Sequence, residues 1–350
     1  MNALPHALII DSSPGCDAAG ALLWAATAPE VELVAAVGTW GNVDVDQATR
    51  NVLKVLEAAG CEAPVFRGAA GPSGPAPTGL SAQLVYGQDG LGDIGLPDPA
   101  GAPQPEPAAE ALVRLTRERP GEITLVACAP FTTVAEAVVL DPTLPGRLAG
   151  ASFMAGMADG NLSAASEANV GHDPEAAAQA FDALGAPGAL ASGARARMVP
   201  LDVTRVAGLT TVERDALQAS SVPGTDTIHA VWSKVWDTGT LETGGACWPC
   251  PDIVTTYTAA HPELVEWQRL PVAVDTGRSV AWGAVIADRR ALLLEKAGYD
   301  ADTQAMWEDA LGFFPARMDV GVGADVDAFR AGIRRWLAGE SIPASGGTMG

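Results

Sequence analysis

The sequence predicts an α/β fold with a mainly parallel sheet flanked by helices, resembling an open twisted sheet with helices on both faces. Three observations predict it. Short apolar runs alternate with helix-patterned segments as far as Pro200, and strand–helix–strand alternation requires crossovers between parallel strands. Polar or reactive residues stand where the apolar runs stop, at Asp11, at Cys128 and after Met154; open α/β sheets hold ligands at these carboxyl ends. Apolar residues make up 48% of the chain, yet no apolar run approaches a membrane span, which needs about 18 residues.

Ala7–Ile10 reads as the first strand and ends at Asp11, with turn residues from Ser12 to Gly15. Asp17–Ala28 reads as a helix and Val31–Val37 as the second strand. Val45–Gly60 is helical: Val52, Val55 and Leu56 share one face and Gly60 stops it. Pro64–Phe66 is a short strand. Residues 69–107 are rich in Gly and Pro and read as a long loop of the kind that often carries function. Pro107–Arg119 (helix), Ile123–Ala127 (strand), Thr132–Val139 (helix) and Ala151–Met154 (strand) follow. Asp173–Leu184 opens on Asp-Pro, an N-cap followed by proline at the first helical position. Arg197–Pro200 is a strand. Residues 209–270 read as mainly helical, interrupted at 239–251. Val272–Val274 and Val280–Ile286 read as a hairpin and Asp325–Leu337 as the last helix. Residues 1–340 are expected to form a single domain, with 341–350 a disordered tail.

Charge and cysteines narrow the function classes. The net charge is −21, from 42 acidic and 21 basic residues; such a field repels nucleic acid and anionic membranes but admits a neutral small molecule. Met1–Ile10 lacks a basic region followed by an apolar one, so a cytoplasmic protein is the expectation. Five cysteines, an odd number, argue against a disulfide framework. Cys247-Trp248-Pro249-Cys250 is an isolated CxxC, weak ground for a zinc or redox site.

Two polar clusters carry candidate chemistry. In Asp11-Ser12-Ser13-Pro14-Gly15-Cys16-Asp17, two carboxylates flank a turn, and Asp17 stands at a helix start where the dipole favours an anion; a plain capping turn would look similar. After Met154, Asn161, Glu167 and Asn169 share one irregular stretch. Amides and a carboxylate together offer the donors and acceptors that a polyhydroxy ligand needs, although an exposed polar loop has the same composition. Trp40, Trp232 and Trp236 are candidates for stacking on a planar group; the last two, four apart on one helical face, equally suit a core. His172 and His229 lie nearby in sequence and suit structural or solvated roles better than catalysis.

With these segments in order, the chain resembles the inosine–uridine nucleoside hydrolase family over residues 7–290. The family's DxDPGxDDA falls on the turn from Asp11 to Ala18, where Asp11, Pro14, Gly15 and Asp17 match it. Its GN and NVLxxLE elements stand at Gly41-Asn42 and Asn51–Glu57, its GxDGLG loop at Gly87–Gly92, and its strand with GPLTNxA at Leu125–Ala135. GNxxxxAExNxxxDPEAA is matched at Gly160–Ala177, with Ser166 in place of its first Ala, LDVT at Leu201–Thr204, and the hairpin ending in DRR at Val272–Arg290. The resemblance implies that Asp17, Asn42, Asn161, Glu167 and Asn169 hold a ribose, and that Asp252 serves both sugar and calcium. It also implies losses. The family's calcium ligand and water-activating base falls at Ser13, a second ligand at Ala18, its backbone carbonyl ligand at Cys128, and the leaving-group acid at Pro251.

The expectation is therefore an enzyme that cleaves, transfers or rearranges at a glycosidic carbon of a nucleoside-like substrate without a calcium-bound water. Asp11, Asp17 and Glu167 are its candidate acid–base or charge-stabilising groups, with Asp252, Trp232 and Trp236 further candidate substrate contacts. No cofactor is expected. A non-catalytic nucleoside- or sugar-binding protein and a conventional hydrolase with a substitute metal site are the alternatives. Cys16, Cys128, Cys247 and Cys250 flank the altered site, either as a thiol site or as small apolar fillers. The expected partner is a small nucleoside-like molecule, with no nucleic acid and no membrane, and a homo-oligomer stays open.

Overall fold

The computed structural model describes residues 4–75, 82–156, 160–290, 297–300, 302–303, 306 and 314–340. Among these, nine strands form one sheet in the order β3-β2-β1-β4-β5-β6-β9-β7-β8. The strands are β1 (His6–Ser12), β2 (Val31–Gly38), β3 (Val65–Arg67), β4 (Ile123–Cys128), β5 (Gly150–Met154), β6 (Ala196–Val199), β7 (Val265–Val274), β8 (Val285–Ala287) and β9 (Ala316–Ala324). From β3 to β9 every neighbouring pair is parallel; β7 runs antiparallel to both β9 and β8.

Alternation along the strands divides the core in two. Leu8 and Ile10 of β1 and Val126 of β4 pack with helices α1 (Cys16–Thr27), α2 (Val45–Ala59), α10 (Thr225–Gly239) and α11 (Pro251–Ala260). Ile9, Leu125 and Ala127 point the other way, onto α4 (Ala108–Glu118), α5 (Thr132–Leu140) and α7 (Pro174–Gly185). Both faces are covered, as near-continuous apolar strands require. The other helices are α3 (Gln83–Tyr86), α6 (Ala168–His172), α8 (Leu201–Thr204), α9 (Thr211–Ala219) and α12 (Val326–Leu337). No described helix is long and apolar enough to cross a membrane.

Most expected elements agree within two residues, and four readings are corrected. Residues 265–270 are strand, not helix, because β7 pairs along β9 from Val265 to Val272. The second hairpin strand is Val285–Ala287 rather than 280–286. The long loop of 69–107 contains the one-turn helix α3. Strand β9 has no counterpart among the expected elements: Gly321 and Gly323 dilute its pattern, yet it fills the gap between β6 and β7 with Met318 and Val320 buried. The expected tail, 341–350, lies outside the described residues.

Candidate active site

The strand ends of β1, β4 and β5 bring the candidate carboxylates together. Asp11 is fully buried at the end of β1. Its Oδ1 accepts from Thr39 Oγ1 at 2.5 Å, Thr39 meets Thr133 Oγ1 at 2.7 Å, and Thr133 accepts from the Ala69 N–H at 2.9 Å. Thr39 gives its one hydroxyl hydrogen to Asp11, so Thr133 donates to Thr39 and the chain of donors runs Ala69, Thr133, Thr39, Asp11. The other carboxylate oxygen, Oδ2, is buried with no protein partner. Burial pushes the Asp11 carboxyl up to about 7 against the pull of Thr39, with Glu136 on α5 adding repulsion.

Asp17 lies in the first turn of α1 and is 2% exposed. Burial raises its pKa. Its own N–H, the N–H groups of Ala18 and Asp252 and the Tyr86 hydroxyl favour the ionised form. Ala18 and Asp252 each lie in the first turn of a helix, α1 and α11, so Asp17 sits where two positive helix ends meet. Asp252 is buried beside it. Burial, then the charges of Asp17 and Glu167, hold its carboxyl well above the usual range, and the Cys128 thiol donates to it. Two carboxylates this close and this dry do not both ionise readily.

Glu167 caps α6. Its Oε1 accepts from Asn169 N at 2.7 Å, and Oε2 from Val170 N at 3.3 Å and Gly156 N at 3.4 Å. Burial still brings it up to about 7. Asn169 Nδ2 donates to the Met154 carbonyl at 3.1 Å, tying α6 to the end of β5. Asn42 Nδ2 donates to the Ser13 carbonyl at 2.8 Å. Gly41 before it holds φ at +151°, and a Cβ there would stand 2.8 Å from Ser13 Oγ, so the turn of β1 and the end of β2 close together only with glycine.

Asp11, Asp17, Asn42, Glu167, Asn169 and Asp252 thus converge at the carboxyl ends of the sheet. Asn161 does not join them as a buried group: its side chain is exposed and its N–H bonds the Ser166 carbonyl at 3.1 Å. Trp232 and Trp236 are corrected as an open stacking wall. Trp232 is 1% exposed, donates to the Cys16 carbonyl at 2.7 Å and meets Trp248 edge-on; Trp236 is buried against Trp248 with Arg214 over its ring. Four apart on α10, they face the apolar side, and core packing takes them. Trp40 is half-buried, donates to Thr132 Oγ1 and meets His172 edge-on at 5.5 Å. Burial, with the nearby carboxylates, raises the thiols of Cys16, Cys128 and Cys250, which argues for filler rather than nucleophile because the thiolate is the reactive form.

Tyr86, Thr39 and Thr133 are residues of the candidate site, in contact with Asp17 or Asp11, that sequence reasoning misses. An aromatic residue just before the Gly87–Gly92 turn was the available signal for Tyr86. The two threonines carry no pattern, since only the fold brings β2 and α5 to Asp11.

The sheet order and this strand-end cluster together define an α/β protein with a polar ligand site at the carboxyl edge of its parallel strands. The model of the inosine–uridine preferring nucleoside hydrolases matches residues 8–331, and the chain belongs to that family. A non-specific ribonucleoside hydrolase from Salmonella schwarzengrund (strain CVM19633) is 30% identical over 95% of this chain and 96% of its own length. A probable uridine nucleosidase 1 from Oryza sativa subsp. japonica is 38% identical over 56% of this chain. The chain covers less than two thirds of that rice protein's length, 59%. A solved plant nucleoside hydrolase superposes with a TM-score of 0.79 at 26% identity, over 95% of this chain and 99% of that one. An inosine–guanosine nucleoside hydrolase gives the same TM-score at 27% identity, over 95% and 98%.

Proposed function

We propose that this chain binds a ribosyl or nucleoside-like substrate at the strand-end cluster and acts at its glycosidic carbon without a calcium-bound water. The observation that carries the reading is the meeting of buried Asp17, Asp252 and Glu167 with the amides of Asn42 and Asn169. Such a set takes up sugar hydroxyls as both donor and acceptor. Negative charge fixed in a dry site stabilises positive charge developing at a sugar carbon. Asp11 Oδ2, buried and without a protein partner, is the carboxylate oxygen free to accept a proton.

The residues present do not fit the family's calcium. The ion takes about six to eight oxygens and favours several carboxylates. Here Ser13 offers a neutral hydroxyl, Ala18 a fully buried methyl, and Asp252 already accepts from the Cys128 thiol. Two missing carboxylates remove most of the charge that offsets dehydration of the ion. Ser13 also cannot serve as a general base near neutral pH, and Pro251 supplies no acid.

A non-catalytic binding role is the second reading, favoured by the backbone partners that already hold the side chains of Asn42, Glu167 and Asn169 in place. Turnover of a nucleoside panel that includes uridine and inosine, with and without calcium, separates the readings. Calcium-independent release of base or sugar is expected. Binding without turnover supports the second reading, and turnover abolished by chelator supports a conventional hydrolase.

A further inference from the structure

Tyr86 lies beside Gly15, Asn42 and Asp17. Its hydroxyl bonds the Asp17 carboxylate. Its ring lies over Gly15 so closely that a Cβ there would stand 2.7 Å from Cδ2, and the same Cβ would stand 3.0 Å from Nδ2 of Asn42. The hydroxyl therefore sits at Asp17 and the ring stands over the Gly15 turn beside Asn42, the two groups that a sugar would address. The backbone beneath is fixed: the Gly92 N–H donates to the Tyr86 carbonyl at 2.7 Å, and Asn51 Nδ2 holds the Asp89 carbonyl at 2.7 Å. Leu84 and Val85 of α3 are 74% and 39% exposed.

We propose that Tyr86 is a placeholder for the ligand, its phenol standing in for a sugar hydroxyl on Asp17, so that any occupant must first displace the ring. This rests on the ribosyl reading of the site. Because the Tyr86 carbonyl is anchored, the ring leaves by side-chain rotation rather than by departure of the loop. A group that only closes the site lowers the apparent affinity of every ligand by one common factor, the fraction of molecules in which the site is open. Tyr86→Phe removes the bond that holds the ring shut. It tightens ribose, uridine and 2′-deoxyuridine alike, by roughly tenfold, the worth of one hydrogen bond to a charged group. A Tyr86 hydroxyl that instead touched the ligand would make Tyr86→Phe weaken binding and change the ratio between uridine and 2′-deoxyuridine.

Fluorine NMR of protein carrying fluorotyrosine tests this directly, since the chain has only 3 tyrosines and Tyr86→Phe assigns the signal. Ribose or uridine is expected to move the Tyr86 signal towards the position of a solvent-exposed tyrosine, and Asp17→Ala to do so without ligand. Calorimetry on wild type and Tyr86→Phe gives the common factor. A signal unmoved in Asp17→Ala, or ligand bound while the signal stays, overturns the placeholder. A signal freed in Asp17→Ala, with no ribosyl ligand bound by either protein, keeps the latch on Asp17 and overturns the ribosyl reading instead.

Discussion

The two sides of one turn differ. On the side of Asp17, Asn42, Glu167 and Asn169, the groups we propose as sugar contacts are held by backbone partners. The side of Ser13, Ala18 and Pro251, where the family resemblance places carboxylates and an acid, carries small or neutral residues, with the Cys128 thiol on Asp252. Carboxylates held by N–H groups and helix ends stay in place without a cation. Carboxylates gathered around a cation do not, because each buried negative charge then lacks its offset.

The largest effect is expected from changing the side of Ser13 and Ala18. Ser13→Asp with Ala18→Asp puts two carboxylates into a buried turn. Without calcium the variant should be less stable than wild type by several kcal/mol, on the order of 3–5 for uncompensated buried charge. Calcium should reverse this by mass action, about 2.7 kcal/mol at a hundredfold excess over Kd. Melting curves with calcium and with chelator measure both; wild type should give superimposable curves. A variant indifferent to calcium would mean that the turn is not shaped for the ion.

On the side of Asp17 and Glu167, Glu167→Ala strips the acceptor from two N–H groups in α6, those of Asn169 and Val170, and from the Gly156 N–H after β5. It should lower stability by about 1–3 kcal/mol and abolish ribose binding in calorimetry. Asn169→Ala should weaken ribose binding while costing less stability, since a single carbonyl loses its donor. Equal ribose affinity in both variants and wild type would remove these residues from the sugar site.

A pH-dependent effect follows from protonation. Asp11 and Glu167 are pushed up to about 7 from ordinary values of 3.8 and 4.5, so between those limits the folded chain holds protons that the unfolded chain has released. Their contribution to stability is fully present below the ordinary values and is lost as pH rises through about 7. Asp11→Asn should flatten that loss, by on the order of 4 kcal/mol across the window. Denaturant melts of both proteins at several pH values measure it, and parallel curves would mean that Asp11 ionises normally in the fold.

The side of Asp17 and Glu167 was also the more legible. Asp17, Glu167 and Asn169 announce themselves because caps and turns impose local spacing, and β1, β2, β4 and β5 because buried parallel strands are apolar runs. β9 was illegible for the opposite reason: it joins β6 from more than a hundred residues away, a pairing with no local signature, and its glycines blur the alternation. Trp232 and Trp236 show the limit of pattern reading. Helical spacing puts two indoles on one face, but only the approach of Trp248 and the Cys16 carbonyl decides that this face is inside.

The central claim is a sugar site kept without its metal, and elemental analysis of the purified wild-type protein tests it most directly. The account predicts calcium far below one ion per chain, unchanged after dialysis against calcium and removal of free ion. One tightly held calcium per chain would contradict it and return the protein to the conventional hydrolases.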